Sequence, residues 1–191
     1  MPHIQNGASL IIEVLVGLFL LAFVLRFLFQ LLRVDFRNPI SQMIVKVTDP
    51  ALKPLRRFIP GLWGIDMSSV LMILIIGTIK FYAITLVGGI QVTPLQALFY
   101  GIAETLETIC WVLLISIFAS VIISWVAPQS YNPAVQIVTG ISRTLLAPFR
   151  RFIPSFGGID ISPIFAILAI QLVLTTGIPL LMQGFRQLGL I

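Results

Sequence analysis

The chain has 191 residues, 58% hydrophobic and only 10% charged, with a mean hydropathy of +1.07. Soluble domains carry about 25% charged residues and avoid large exposed apolar patches, so lipid is the natural solvent. The net charge of +5 comes from basic residues beside apolar segments, which points to anionic lipid headgroups as partners and away from nucleic acid. One cysteine, Cys110, and one histidine, His3, exclude an intrachain disulfide and a His/Cys metal site. No metal or cofactor is expected.

A membrane span needs about 20 mostly apolar residues, and four segments qualify. The first runs roughly over residues 8–32. No Lys or Arg precedes Arg26, and the apolar run exceeds a signal-peptide core; it reads as a retained helix. Glu13 and Arg26 lie within it and are expected to snorkel from opposite ends. The second span covers about residues 69–90. Lys80 sits in its middle, roughly 16 Å along a helix from Ser69, and needs a partner or water. Glu13, Glu104 and Glu107 approach it from the outer side. The third span covers about 106–126 and extends back toward Pro94, an N1 proline behind a capping Thr93. Ser116, Ser120 and Ser124 at spacing four give it a small-residue packing face. The fourth covers about 162–182, with a kink expected at Thr175–Pro179.

Nine Lys and Arg residues fall in two loops: Arg33, Arg37, Lys46, Lys53, Arg56 and Arg57 in one, Arg143, Arg150 and Arg151 in the other. The other side carries only Arg186. This asymmetry predicts that both loops face the cytoplasm and both termini the outside.

The two loops are copies of one another. The 33 residues from Asn38 align without a gap onto those from Asn132, at an offset of 94, with 14 identities. Matched pairs include Asn38/Asn132, Pro54/Pro148, Arg56/Arg150, Arg57/Arg151, Pro60/Pro154, Gly64/Gly158, Asp66/Asp160 and Ser68/Ser162. The chain therefore divides into residues 1–93 and 94–191, each a helix, a basic loop and a helix. Two spans per copy leave the copies parallel, unlike the inverted repeats of many transporters. Glu13 maps onto Glu107 at the same offset, whereas Lys80 maps onto Leu174.

Within each loop apolar residues recur at steps of three and four, the mark of an amphipathic helix. Asn-Pro supplies its cap and N1 proline. Pro50, Pro54 and Pro148 are expected to interrupt it. Such a helix suits the headgroup plane; a re-entrant segment is the competing reading. Asp66 and Asp160 suit the starts of spans two and four through the helix dipole and can also pair with nearby arginines. Ser162-Pro163 reads as a helix start.

No Ser/His/Asp set and no Walker or GxGxxG loop is present, so an enzyme is not expected. The repeated NP-x-x-Q and P-x-RRFIP-xxx-GID-x-S pattern resembles the YggT family, also called YlmG. The resemblance spans nearly the whole chain in a two-copy form. It implies a small bacterial inner-membrane protein, linked to osmotic or potassium homeostasis, to nucleoid and division-site organisation, or to haem attachment during cytochrome assembly. The isolated cysteine gives haem attachment no support.

Two functions follow as expectations. The first is a membrane scaffold or assembly factor, whose Arg56, Arg57, Arg150, Arg151, Asp66, Asp160, Asn38 and Asn132 bind anionic lipid or partner proteins. The second is a small ion-conducting or osmoregulatory protein, forming a homo-oligomer, that uses the intramembrane charges Glu13, Arg26, Lys80 and Glu107.

Overall fold

A computed structural model describes residues 2–62, 64–153 and 160–191, with side chains from residue 7 onward. The His3 side chain and the second-turn residues Pro154 and Gly158 lie outside the described residues.

The chain is a multi-pass, all-helical membrane protein. Helix α1 spans Pro2–Leu31, α2 Pro39–Phe58, α3 Met67–Val87, α4 Pro94–Val126 and α5 Pro133–Phe152. The last span is broken into α6 (Ser162–Leu172), a π-helical turn (Val173–Gly177) and α7 (Ile178–Gln187). Among the described residues, four stretches have the length and apolarity to cross a bilayer: Gly7–Leu31, Met67–Val87, Pro94–Val126 and Ser162–Gln187. Both copies share one order: long helix, 20-residue helix ending in Arg-Arg-Phe, then a second spanning helix.

Local chemistry sets the helix ends. Asn38 and Asn132 each accept the backbone N–H two residues on, at 2.9 Å, and a proline takes the first helical position, where no N–H is needed. Thr93 and Gln96 form a reciprocal capping box at the start of α4. The 33 residues of α4 are longer than a bilayer core requires. The kink expected in the fourth span takes the form of the π-helical turn, where the Thr175 hydroxyl donates to the Gln171 carbonyl at 2.8 Å.

Two expectations are corrected. Helices α2 and α5 run unbroken through Pro50, Pro54 and Pro148. All three prolines lie on the exposed face, where the carbonyls they free meet the surroundings. Leu52 and Leu146, on the opposite face, are almost wholly buried, and this packing offsets the roughly 3 kcal/mol cost of an internal proline. Helix α6 does begin at Ser162-Pro163, as expected, but the serine hydroxyl does not cap it. Asp160 accepts the Ser162 N–H at 2.9 Å, and the Ser162 hydroxyl is buried without a partner among the described residues.

Three apolar clusters hold the helices. Leu20, Phe23, Val24 and Leu28 of α1 meet Leu52 of α2 and Ile73 and Ile76 of α3. Leu146 of α5 meets Ile117 of α4 and Ala166 and Ile170 of α6 in the matching place of copy two. Phe29 and Val34 join Ile44 to Ile137 and Ile141, tying the copies together. The Asn38 amide adds a hydrogen bond to the Pro133 carbonyl at 2.8 Å.

The tightest crossing is between α3 and α4. A Cβ on Gly77 would stand 2.8 Å from the Gly101 carbonyl oxygen, and one on Gly101 would stand 2.6 Å from the Thr78 nitrogen. Only glycine lets the two backbones approach this closely.

Candidate functional site

In each copy the Arg-Arg-Phe end of the 20-residue helix meets the aspartate before the next span, at the end of the bundle here called the basic face. In copy one Leu62 and Ile65 exchange backbone hydrogen bonds across a tight turn, with Gly64 at φ +82°. Glycine takes that left-handed conformation without the cost other residues meet. The turn delivers Asp66 to the cap of α3. Its Oδ1 accepts the Ser69 N–H, and its Oδ2 accepts the Ser69 hydroxyl at 2.7 Å and Arg56 Nε at 3.1 Å. In copy two Asp160 Oδ2 accepts a hydrogen bond from Arg150 Nε at 2.9 Å and forms an ion pair with Nη2 at 2.8 Å. The Arg–Asp pairing suggested by sequence is therefore present in both copies.

Burial works against both carboxylate charges. For Asp66, the hydrogen bonds from Arg56 and Ser69 outweigh it and hold the carboxyl below the usual range. For Asp160, Ser162 and Arg150 do the same. Asp66 is buried, while Asp160 is half-exposed. The same hydrogen bonds occupy Asp66 intramolecularly, as its cap and inter-copy bonds occupy Asn38. Neither is presented to a partner. Arg57, Arg151 and Asn132 are exposed, as are the neighbouring Phe58 and Phe152.

A charged network, invisible in the residue pairings above, sits beside the copy-one turn. Asp49 faces Lys53 at 3.3 Å, Arg26 at 3.5 Å and Arg56 at 4.0 Å. Arg26 is 8% exposed and its guanidinium lies 5.0 Å from the centre of the Phe36 ring, a cation–π contact. Arg26 is thus anchored inside the protein and does not snorkel out to lipid. The signal that reveals this is the repeat itself. At an offset of 94, Arg26 and Asp49 become Ser120 and Arg143, so the arginine and its carboxylate disappear together.

The remaining intramembrane charges lie toward the other end. Lys80 pairs with Glu104 of α4 and rests against Gly17 of α1. Of the three acidic candidates, Glu104 is the partner. Glu13 and Glu107 are exposed on the bundle exterior, and the structure does not bring them to Lys80. Of the three serines on α4, only Ser116 is a packing residue: its carbonyl accepts the Ser142 hydroxyl at 2.7 Å. Ser120 and Ser124 line a cleft.

Two clefts open at the basic face. One, of about 420 Å³, lies between Arg26, Gln30, Phe36, Arg56 and Asp66. The other, of about 780 Å³, lies between α4, the end of α5 and the start of α6.

A family model described as CCB3/YggT matches residues 5–87 and, a second time, residues 99–181. An uncharacterized protein of Pseudomonas aeruginosa is 45% identical over 175 residues, covering 91% of this chain and 89% of that one. The YggT protein of Escherichia coli K12 is 35% identical over 173 residues, covering 88% of each chain. An uncharacterized Vibrio alginolyticus protein is 34% identical over 173 residues, covering 87% of this chain and 91% of its own. No solved structure matches the chain.

Proposed function

We propose, from the premise that this chain belongs to the CCB3/YggT family, that it is a non-enzymatic inner-membrane scaffold whose two basic turns engage the anionic cytoplasmic leaflet. Its termini are periplasmic in this reading, as the bias of nine basic residues to one predicts. Helices α2 and α5 lie in the headgroup plane. The observation that carries the reading is the pairing of exposed Arg57 with exposed Phe58, and of Arg151 with Phe152, at the same place in both copies. A cation beside an exposed aromatic is the side-chain combination an interfacial element presents to headgroups and to the acyl boundary. Each arginine near an anionic leaflet contributes about 1 kcal/mol.

Ion conduction is the weaker reading. Lys80 is neutralised by Glu104, and Glu13 and Glu107 face away from the bundle interior, so the intramembrane charges do not converge on a shared path. Assembly with partner proteins or with further copies would use the same basic face.

The test is enrichment of a fluorescent anionic phospholipid around the protein in mixed vesicles. R57Q/R151Q should lower the local enrichment, roughly fivefold for each arginine at about 1 kcal/mol. R57K/R151K, which keeps the charge, should retain it. Equal enrichment around the wild type and the glutamine variant would sink the proposal.

A further inference from the structure

The two clefts at the basic face occupy matching places in the two copies. Adding 94 to Arg26, Gln30, Arg56 and Asp66 gives Ser120, Ser124, Arg150 and Asp160, and these line the larger cleft. The difference in size follows from the residues. In copy one the long Arg26 side chain occupies the space, held by Asp49. In copy two a serine stands there, its hydroxyl turned back to the Ile117 carbonyl at 2.8 Å. The resulting volume falls within the range of small-molecule sites, about 300–1,000 Å³.

The charges differ in the same sense. In copy one, Asp49 supplies a second carboxylate, 4.0 Å from Arg56 Nη1. Its counterpart in copy two is Arg143. Asp160 is the sole acidic residue of the chain after Glu107, and one of its oxygens takes the Nε hydrogen bond and the Nη2 ion pair from Arg150 while the other takes the Ser162 N–H. A guanidinium carries five N–H donors, so Arg150 keeps donors that no carboxylate of this chain meets. Its side chain is 47% exposed, against 33% for Arg56. Below this cationic rim the wall is apolar: Phe118, Val121, Trp125, Ile164 and Ile167. Phe118, Trp125 and Ile164 are exposed and open the cleft toward the surrounding bilayer.

We infer that the copy-two cleft is a site for one anionic phospholipid. The phosphate sits at Arg150, in the role Asp49 plays for Arg56, with Arg143 adding positive charge two turns earlier on α5. An acyl chain runs down the wall of Phe118, Val121, Ile164 and Ile167. Copy one holds no such lipid because Arg26 narrows its cleft and Asp49 already supplies Arg26 and Arg56 with a carboxylate. The inference rests on the reading of the basic turns as lipid-facing, and adds to it a defined site with a stoichiometry of one.

The test is native mass spectrometry of the full chain, released from detergent after incubation with equal amounts of phosphatidylglycerol and phosphatidylethanolamine. The wild type should carry one phosphatidylglycerol. R150Q should lower its occupancy roughly tenfold, the scale of one lost charge-assisted hydrogen bond. S120R places copy one's arginine in the cleft and should lower occupancy to a similar extent, although it adds positive charge. S120M fills the cleft without charge and should do likewise, which keeps the test open if S120R does not fold. The inference is overturned if S120R and S120M hold as much phosphatidylglycerol as the wild type, or if bound lipid shows no preference for the anionic headgroup. A stoichiometric partner helix found in the cleft in place of lipid would also overturn it. Surface attraction alone predicts that S120R raises anionic lipid, and R57Q/R151Q lowers surface enrichment without touching the cleft, so the two proposals fail separately.

Discussion

Replacing Asp49 with Asn should destabilise the protein by leaving a buried cation without its carboxylate. Asp49 is the common carboxylate of three cations, at 3.3 Å from Lys53, 3.5 Å from Arg26 and 4.0 Å from Arg56. Arg26 is the one that cannot escape. Its side chain is 10% exposed, and its Nε already lacks a hydrogen-bond partner. Removing one member of a buried ion pair costs about 3–5 kcal/mol, because the other charge is left without compensation. Asp49 keeps a fifth of its side-chain exposure, which places the expected loss at the lower end, about 3 kcal/mol. For a chain of this length that is a fall of roughly 6–12 °C in Tm, readable by thermal unfolding in detergent. The double variant R26Q/D49N removes both charges and should recover most of the loss, giving a coupling of about 2 kcal/mol in a double-mutant cycle. If D49N melts like the wild type, or if R26Q/D49N melts no higher than D49N, the network is not what anchors Arg26.

Three further outcomes follow from the same geometry. Gly101→Ala would place a Cβ 2.6 Å from the Thr78 nitrogen and 2.8 Å from the Gly77 carbonyl carbon; backbone atoms cannot turn aside as a side chain can, so α3 and α4 must separate, at about 1–3 kcal/mol, seen as a lower Tm. Glu104→Gln should strand Lys80 within the membrane at a cost of roughly 2.5–3.5 kcal/mol, while K80M/E104M should melt close to the wild type. Asp66 has a carboxyl held below its usual range by Arg56 and Ser69 against the opposing effect of burial, so its stabilisation is present above its unfolded pKa and is lost as pH falls through the lower folded value. Acid unfolding of D66N, compared with the wild type, should show a flatter decline of stability below about pH 4.

Much of this architecture is legible in the sequence, because bilayer thickness and the repeat both act locally. The four spans, the Asn-Pro helix starts and the Arg56–Asp66 and Arg150–Asp160 pairs all follow from residues a few positions apart. The proline positions do not read the same way. Whether Pro50, Pro54 and Pro148 break a helix depends on which face is buried, and Leu52 and Leu146 decide that only once α1, α3, α4 and α6 are in place. Arg26 was legible as a costly charge but not as the partner of Asp49, 23 positions later in the chain; that pairing depends on how α2 folds back along α1. The sequence offers three acids for Lys80, and helix rotation selects Glu104, turning Glu13 and Glu107 outward. The larger cleft of copy two arises from the same cause at larger scale. Its residues can be counted from the repeat, but that Arg26 stands in the smaller cleft depends on Asp49 reaching it from α2.

The placement proposed for α2, α5 and their Arg-Arg-Phe ends is the cytoplasmic headgroup layer. Its most direct test is depth-resolved fluorescence quenching of a probe attached at position 58 or 152, after Cys110→Ala removes the native thiol. The protein would be reconstituted in vesicles carrying quenchers at fixed acyl depths, with a soluble quencher added from either side. Both positions should be quenched strongly by the shallowest lipid quencher and weakly by the deepest, and they should share one side with each other and not with the termini. Strong quenching from the bilayer centre would mean a re-entrant turn. Full quenching by the soluble agent with none from lipid would mean a loop standing free in water. Either result would rule out the headgroup placement.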